Sequence, residues 1–398
     1  MRNLRGNRNF IALLTAQLVS SLGDWSTSIV IPVLLYKYTG NSATTAVLML
    51  CRFLPALLAN WIIRGLQLRF LNPVAIMRVM DLIRMLLFPI FIVATAPWHF
   101  YVLTFVTYLC SAVAKPCSLS VVKLCCESDD LASANNLLGA GQNLLMLIGP
   151  LIGGILYASR GAAFVLVLNS ATFLVSFLIL LRVKVAHSGP ANSAEEAWGR
   201  HGLYRDVLRL ARSYPQIVLF IVVDAVSGFA FGALNTLIPA GVQLRFHNSA
   251  FIYSALLSSL TGGMLIGNMV FQRWFIRFKL LRVYLVATSV ALVFFLLSGL
   301  ATMAALAAVF LAIVGLCNSM QDVVLATSVQ AAVEDIRGLT TVFAISESLA
   351  AVSVVVSSAL LAVLLQKVSV TTLTILVFAL ATGGCVVYCL LHRRALAT

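Results

Sequence analysis

Apolar residues in this chain come neither in strand-like alternation nor as one stripe of a surface helix. They run on for about twenty residues at a time, broken by a few polar positions. At ~1.5 Å per residue, a helix of that length crosses the ~30 Å hydrocarbon layer of a bilayer. Twelve such spans are predicted, over residues 10–37, 43–63, 74–96, 98–121, 132–157, 161–183, 215–243, 249–271, 281–300, 302–328, 339–365 and 369–391. The first carries Asp24 and Pro32 inside an apolar stretch longer than the ~7–15 residues of a signal-peptide core, so it reads as a permanent span.

Residues 184–214 break the rhythm. They open with Gly, Pro and Ser and continue as a basic run in which Leu203, Val207, Leu208 and Leu210 alternate with Arg205, Arg209 and Arg212. That pattern predicts an amphipathic helix lying on the inner membrane surface. The chain therefore divides into an N-terminal six-helix bundle (1–183), a cytoplasmic linker (184–214) and a C-terminal six-helix bundle (215–398). The halves also echo each other. Ile31-Pro32 and Asn41-Ser42-Ala43 return as Ile238-Pro239 and Asn248-Ser249-Ala250, and Glu127 returns as Glu334, all at an offset of 207 residues. An even number of spans per half makes the repeats parallel, as in transporters with two six-helix halves. The expected fold is thus an all-α membrane protein of twelve transmembrane helices in two pseudo-symmetric bundles around a central cavity.

Composition sharpens the picture. Of 398 residues, 61% are hydrophobic and 10% charged, against about 25% charged in soluble domains. A water-soluble enzyme, a disordered chain and a secreted disulfide scaffold are excluded. The net charge of +14 follows the membrane. With the N-terminus inside, only Lys37, Arg160, Arg245 and Lys367 fall on outer loops and Arg52, Arg84 and Lys115 within spans; the other basic residues lie at or near the inner side. That asymmetry predicts cytoplasmic N- and C-termini, and attraction to anionic lipid accounts for the charge without nucleic acid. Short loops and the absence of a barrel-strand pattern predict a bacterial inner (plasma) membrane. Neither the five histidines nor the eight cysteines form a metal-ligand spacing, and there is no phosphate-binding Gly-x-x-x-x-Gly-Lys-Ser/Thr loop. No enzyme, metal or cofactor is expected.

Several segments together carry a family resemblance. They are Asn9-Phe10, Gln17-Leu-Val-Ser-Ser-Leu-Gly-Asp24, Arg52-Phe-Leu-Pro55, Asp81-Leu-Ile-Arg84, Ala134-Asn135, Gly149-Pro-Leu-Ile-Gly-Gly154 and Val333-Glu-Asp-Ile-Arg-Gly338. In order and spacing the chain resembles the major facilitator superfamily, in particular its drug/proton antiporter branch with macrolide-efflux and siderophore-export members. The resemblance implies two six-helix bundles and proton-driven transport by alternating access. Gly149, Pro150, Gly153 and Gly154 match the core of the antiporter motif and imply close helix approach at the interface between the halves. Residues 64–73 depart from the family's gating loop: Arg69 is present, but Leu68 stands where an acid belongs and the following basic pair is missing.

Ionisable groups are costly in a bilayer, so each one inside a span is a functional candidate. Asp24 shares a polar helix face with Gln17, Ser20, Ser21, Thr27 and Ser28, and reads as a proton or substrate carboxylate facing a cavity, or as a packing partner for Arg52. Counted from the outer turn, Asp24 and Arg52 differ by about 6 Å in depth, which makes a pair plausible. Asp81 and Arg84 are three apart, as in a local salt bridge or gate element. Lys115 either snorkels to the inner surface or meets an anionic group. Asp224, Asp322 and Glu347 are further carboxylates able to exchange a proton, because withdrawal from water favours a neutral acid. The expected function is proton-coupled efflux of an amphiphilic small molecule, siderophore-like or drug-like. Arg52 and Lys115 lean the substrate towards carboxylate-bearing compounds. Import by the same fold, and a non-transporting scaffold or receptor, are the alternatives. Expected partners are the substrate, protons and the bilayer, and the expected state is monomeric.

Overall fold

The structure, a computed structural model, describes residues 4, 6–39, 43–69, 72–185, 214–245, 250–271, 273 and 278–391. The amphipathic linker helix expected within 184–214 falls almost wholly outside them. Among the described residues there is no β-strand. The helices are α1 (Arg8–Thr39), α2 (Ala43–Phe53), α3 (Pro55–Arg69), α4 (Pro73–Leu87), α5 (Pro97–Cys125), α6 (Leu131–Leu180), α7 (Pro215–Arg245), α8 (Ala250–Val270), α9 (Leu280–Leu300), α10 (Ala304–Ala332), α11 (Ile336–Leu364) and α12 (Val370–Leu391).

These elements match the twelve predicted spans with three local differences. The second span is broken at Leu54, just before Pro55, into α2 and α3, because proline has no N–H for the helix ladder. The third span ends as a 3-10 turn over Phe88–Val93, where Pro89 has the same effect. The fifth and sixth spans join as α6, 50 residues long, with a break at Gly161 (φ 79°, ψ 174°) in place of a loop. That backbone conformation is one that glycine adopts without a Cβ penalty.

Seven helical stretches among the described residues are long and apolar enough to cross a membrane, and one of them, Ser128–Leu180, is long enough to cross twice. Trp61, Leu151, Ile155 and Val363 each keep about three-fifths or more of their surface exposed. In water such surface is a liability; against acyl chains it is matched to its solvent. Helix ends, whose last carbonyls have no partner within the helix, are closed by side chains from other spans. Arg78 donates from Nε and Nη2 to the Leu180 carbonyl at 3.1 and 2.7 Å. Arg245 does the same for Gly299 at 2.5 Å, and the Asn7 amide reaches the Cys125 carbonyl. Asn72 caps α4 by accepting from the Val74 N–H at 2.9 Å, followed by Pro73 at the first helical position.

By internal contacts the chain forms two compact units, Met1–Leu203 with Val333–Ser348, and Tyr204–Ala332 with Leu349–Thr398. The first unit has one apolar core around Phe10, Leu13, Ile63, Met77, Val113 and Val121. A second core contains Ile31, Leu35, Phe88, Phe91, Phe100 and Phe173, in which Phe88 stacks on Phe173 at 5.5 Å. The second unit packs Ala233, Leu237, Phe295, Leu311, Leu361 and Val377. There α8 and α10 meet backbone to backbone: a Cβ on Gly315 would stand 1.9 Å from the Leu260 carbonyl oxygen, and one on Gly263 1.9 Å from that of Ala312.

Candidate functional site

The first unit has a half-open cavity of about 220 Å³ between α1, α2, α5 and the 3-10 turn. Helix α1 contributes Ser21, Asp24, Trp25, Thr27, Ser28, Ile31 and Pro32. The polar face expected on the first span therefore lies on a cavity wall over most of its length. Helix α5 contributes Thr104, Thr107, Tyr108 and Ser111, and α2 contributes Leu48 and Arg52. Spacings of three and four place the α5 residues on one face. Asp24 and Arg52 are the charged residues of this wall.

Behind the wall lies a charge network centred on Arg84. Its Nη2 donates to Asp81 Oδ1 at 2.5 Å, and its Nη1 reaches Asp24 Oδ2 at 3.4 Å and Ser111 Oγ at 3.0 Å. Its guanidinium carbon sits 4.2 Å from the centre of the Phe173 ring, a cation–π geometry. Asp81 receives a second bond, from Ser176 Oγ to Oδ2 at 2.7 Å. Asp81 and Arg84 are 3% and 5% exposed, whereas the Asp24 side chain keeps 39% of its surface. Two carboxylates thus share one guanidinium, and of the two only Asp24 faces the cavity. A proton arriving at Asp24 leaves the shorter Arg84–Asp81 pair intact and electrically balanced.

Across the cavity, Arg52 donates from Nε to Tyr108 Oη at 2.6 Å and lies 4.9 Å from that ring's centre. Thr104 lines the cavity, and its Oγ1 is buried without a hydrogen-bond partner. Thr27 Oγ1 donates to the Gly23 carbonyl at 3.1 Å and accepts from Asn169 Nδ2 at 3.0 Å, which fixes α1 against α6.

The i,i+3 pair of Asp81 and Arg84 forms as the spacing suggested. Asp24 forms an ion pair with Arg84, and Arg52, the partner that depth made plausible, lies on the same cavity wall within electrostatic range of Asp24. Lys115 forms a salt bridge with Glu347 at 2.6 Å within the first unit, with 58% and 35% of the two side chains exposed. Two candidates from distant parts of the sequence therefore meet. Asp224 on α7 and Asp322 on α10 belong to the second unit, both within electrostatic range of the buried Tyr284. Tyr284 in turn donates from Oη to the Phe220 carbonyl at 3.1 Å. Arg69 ends α3, and its side chain lies outside the described residues.

The glycines of α6 have a different neighbour from the one inferred. A Cβ on Gly149 would fall 2.4 Å from Trp25 Cβ, and one on Gly153 2.0 Å from the Ser26 carbonyl oxygen, so both serve contact with α1 of their own unit. Gly154 has nothing within 4 Å and carries no such contact. Pro150, half-buried, lies inside α6 between them. Tyr108, Thr104, Ser111 and Ser176 were missed in the sequence. The first three were legible as a polar stripe at helical spacing on the fourth span; Ser176 left no signal. Among the described residues no group of three or more His, Cys, Asp or Glu stands ready for a metal.

The profile of the Major Facilitator Superfamily matches residues 13–351. No curated protein matches the chain significantly. Among solved structures, the human organic anion transporter MFSD10 (TETRAN) superposes with a TM-score of 0.80 at 13% identity, covering 96% of this chain and 99% of that one. The Escherichia coli fucose:proton symporter FucP gives 0.74 at 13% identity, covering 95% and 97%. A bacterial homologue of the iron transporter ferroportin, in an outward-facing state, gives 0.74 at 14% identity, covering 95% and 98%.

Proposed function

The chain belongs to the Major Facilitator Superfamily, and from that premise we propose that it is a proton-coupled exporter of an amphiphilic small molecule, of the drug/proton antiporter branch. It works by alternating access, with 1–183 and 215–398 as its two halves, in a bacterial inner membrane with both termini cytoplasmic. Asp24 exchanges the proton, and Arg52 with the hydroxyl-rich face of α5 receives the substrate. The observation that carries this reading is the shared guanidinium. Asp24 is the cavity-facing, more weakly held partner of Arg84, while Asp81 is the buried, tightly held one. Such an arrangement lets one carboxylate gain and lose a proton while the buried Arg84–Asp81 pair beside it stays balanced. Substrate binding to one protonation state of Asp24 then shifts the balance of conformations. The amphiphilic character follows the wall, which sets Trp25, Ile31, Leu48 and Phe88 beside Asp24 and Arg52. Siderophore-like and drug-like compounds are the classes to screen.

The test is purified protein in liposomes enclosing a pH-sensitive dye, with candidate substrates added on one side. Substrate-dependent proton movement is expected in the native chain and is expected to vanish in Asp24→Asn. A variant that moves protons normally removes Asp24 from the mechanism. Loss against accumulation of labelled compound in intact cells gives the direction.

A further inference from the structure

The export reading requires the proton and the substrate to exclude one another, and the cavity contains two charges of opposite sign. From these together we infer that the substrate is a zwitterion: a compact apolar body carrying one carboxylate and one basic nitrogen. The inference rests on the proton-coupled export reading and narrows it.

A purely anionic substrate would be held at Arg52 and helped by protonation of Asp24, which removes a negative charge from the same wall. By reciprocity of linkage, anion and proton would then bind together and travel together. Mutual exclusion instead needs a positive group on the substrate at Asp24, the position that the proton also claims. Arg52, stacked on Tyr108 and lining the same cavity, is complementary to a carboxylate. In their ionised forms Asp24, Asp81, Arg84 and Arg52 cancel. A net ion entering would be left uncompensated in a low-dielectric site, whereas a zwitterion brings both partners with it. Thr104 lies on the same wall, with a buried hydroxyl that has no partner. Trp25 and Phe88 supply the surface for an aromatic or aliphatic body. The volume of about 220 Å³ is below the ~300–1,000 Å³ of sites for drug-sized ligands, so within this unit the ligand, or the part of it held here, is small.

Size-matched probes decide the point: benzoate, benzylamine, 4-(aminomethyl)benzoate and phenylalanine. Each is titrated against the full chain in lipid nanodiscs at neutral pH, with protection against thermal unfolding as the readout. One of the two zwitterions is expected to protect at a concentration about tenfold or more below that of benzoate and benzylamine, as charge-assisted hydrogen bonds at both ends imply. Asp24→Asn is expected to weaken benzylamine and the zwitterion and to strengthen benzoate. Arg52→Gln is expected to weaken benzoate and the zwitterion and to strengthen benzylamine. Benzoate or benzylamine binding as tightly as the better of the two zwitterions, or protection by none of the four in a chain that melts cooperatively, overturns the inference. No gradient is present in this assay, so such a result leaves proton coupling at Asp24 standing, and the liposome experiment decides that separately.

Discussion

Arg84 offers the sharpest energetic test, because its two acidic partners differ in distance and in burial. Replacing it with Met removes the counter-charge of Asp81, which is 2.5 Å away and 3% exposed, and of Asp24, which is 3.4 Å away on the cavity wall. Breaking a buried pair from one side costs about 3–5 kcal/mol, since the remaining charge keeps its desolvation without its partner. Asp81→Asn preserves shape and leaves Arg84 with Asp24, so it loses roughly one charge-assisted hydrogen bond, about 1.5–3 kcal/mol. Asp24→Asn removes the longer, partly exposed contact and is expected to cost no more than about 1 kcal/mol. The order of destabilisation is therefore Arg84→Met, then Asp81→Asn, then Asp24→Asn. The double variant Arg84→Met with Asp81→Asn is expected to recover about 1 kcal/mol or more relative to the sum of the singles, because no buried charge is then left alone. The assay is reversible unfolding of the purified chain in mixed micelles as denaturing detergent is raised. An Arg84→Met variant as stable as Asp24→Asn, or strict additivity in the double variant, would show that the shared guanidinium is not what holds the network.

Two further variants separate packing from binding. Gly153→Ala places a methyl 2.0 Å from the Ser26 carbonyl oxygen and is expected to destabilise the chain by about 1–3 kcal/mol, whereas Gly154→Ala meets nothing within 4 Å and is expected to change stability by less than about 0.5 kcal/mol; detergent unfolding of the pair checks both. Thr104→Val replaces an unpartnered hydroxyl by a methyl of the same shape. Stability is expected to stay level or rise while the apparent affinity for substrate falls several-fold, and an unchanged transport KM would take Thr104 out of the site.

How far the sequence spoke depended on which coordinate was asked of it. Run lengths report depth in the bilayer, and the spans, with Asp24, Arg52 and Arg84 inside them, follow from counting residues. Rotation about each helix axis is not encoded in run length. Depth alone made Arg52 a plausible partner for Asp24; it could not say that the azimuth of α4 brings Arg84 to the same carboxylate as well. Asp81 and Arg84 were legible as a pair because three residues on one helix fix both coordinates. The glycines show the same division: Gly149 and Gly153 announce that something comes close, but only the structure says that it is α1. Pro55 and Pro89 signalled interruptions that hydropathy smooths over, and the gap expected at 158–160 is a single turned residue, Gly161, which run length does not distinguish from a loop. The α5 stripe of Thr104, Thr107, Tyr108 and Ser111 was available and overshadowed by charges nearby.

Arg78 has a history as well as a position. It stands 102 residues ahead of Leu180, whose carbonyl it finally holds. A ribosome delivers those two groups many seconds apart at about 5–20 residues per second. Until the end of α6 emerges, this guanidinium lacks the carbonyl that it finally holds, and in the proposed orientation it counts meanwhile among the cations that keep its loop on the inner side. Once α6 is complete, the same side chain binds its backbone. In that orientation one arginine serves in succession as a topological signal and as the clasp that records α6's arrival.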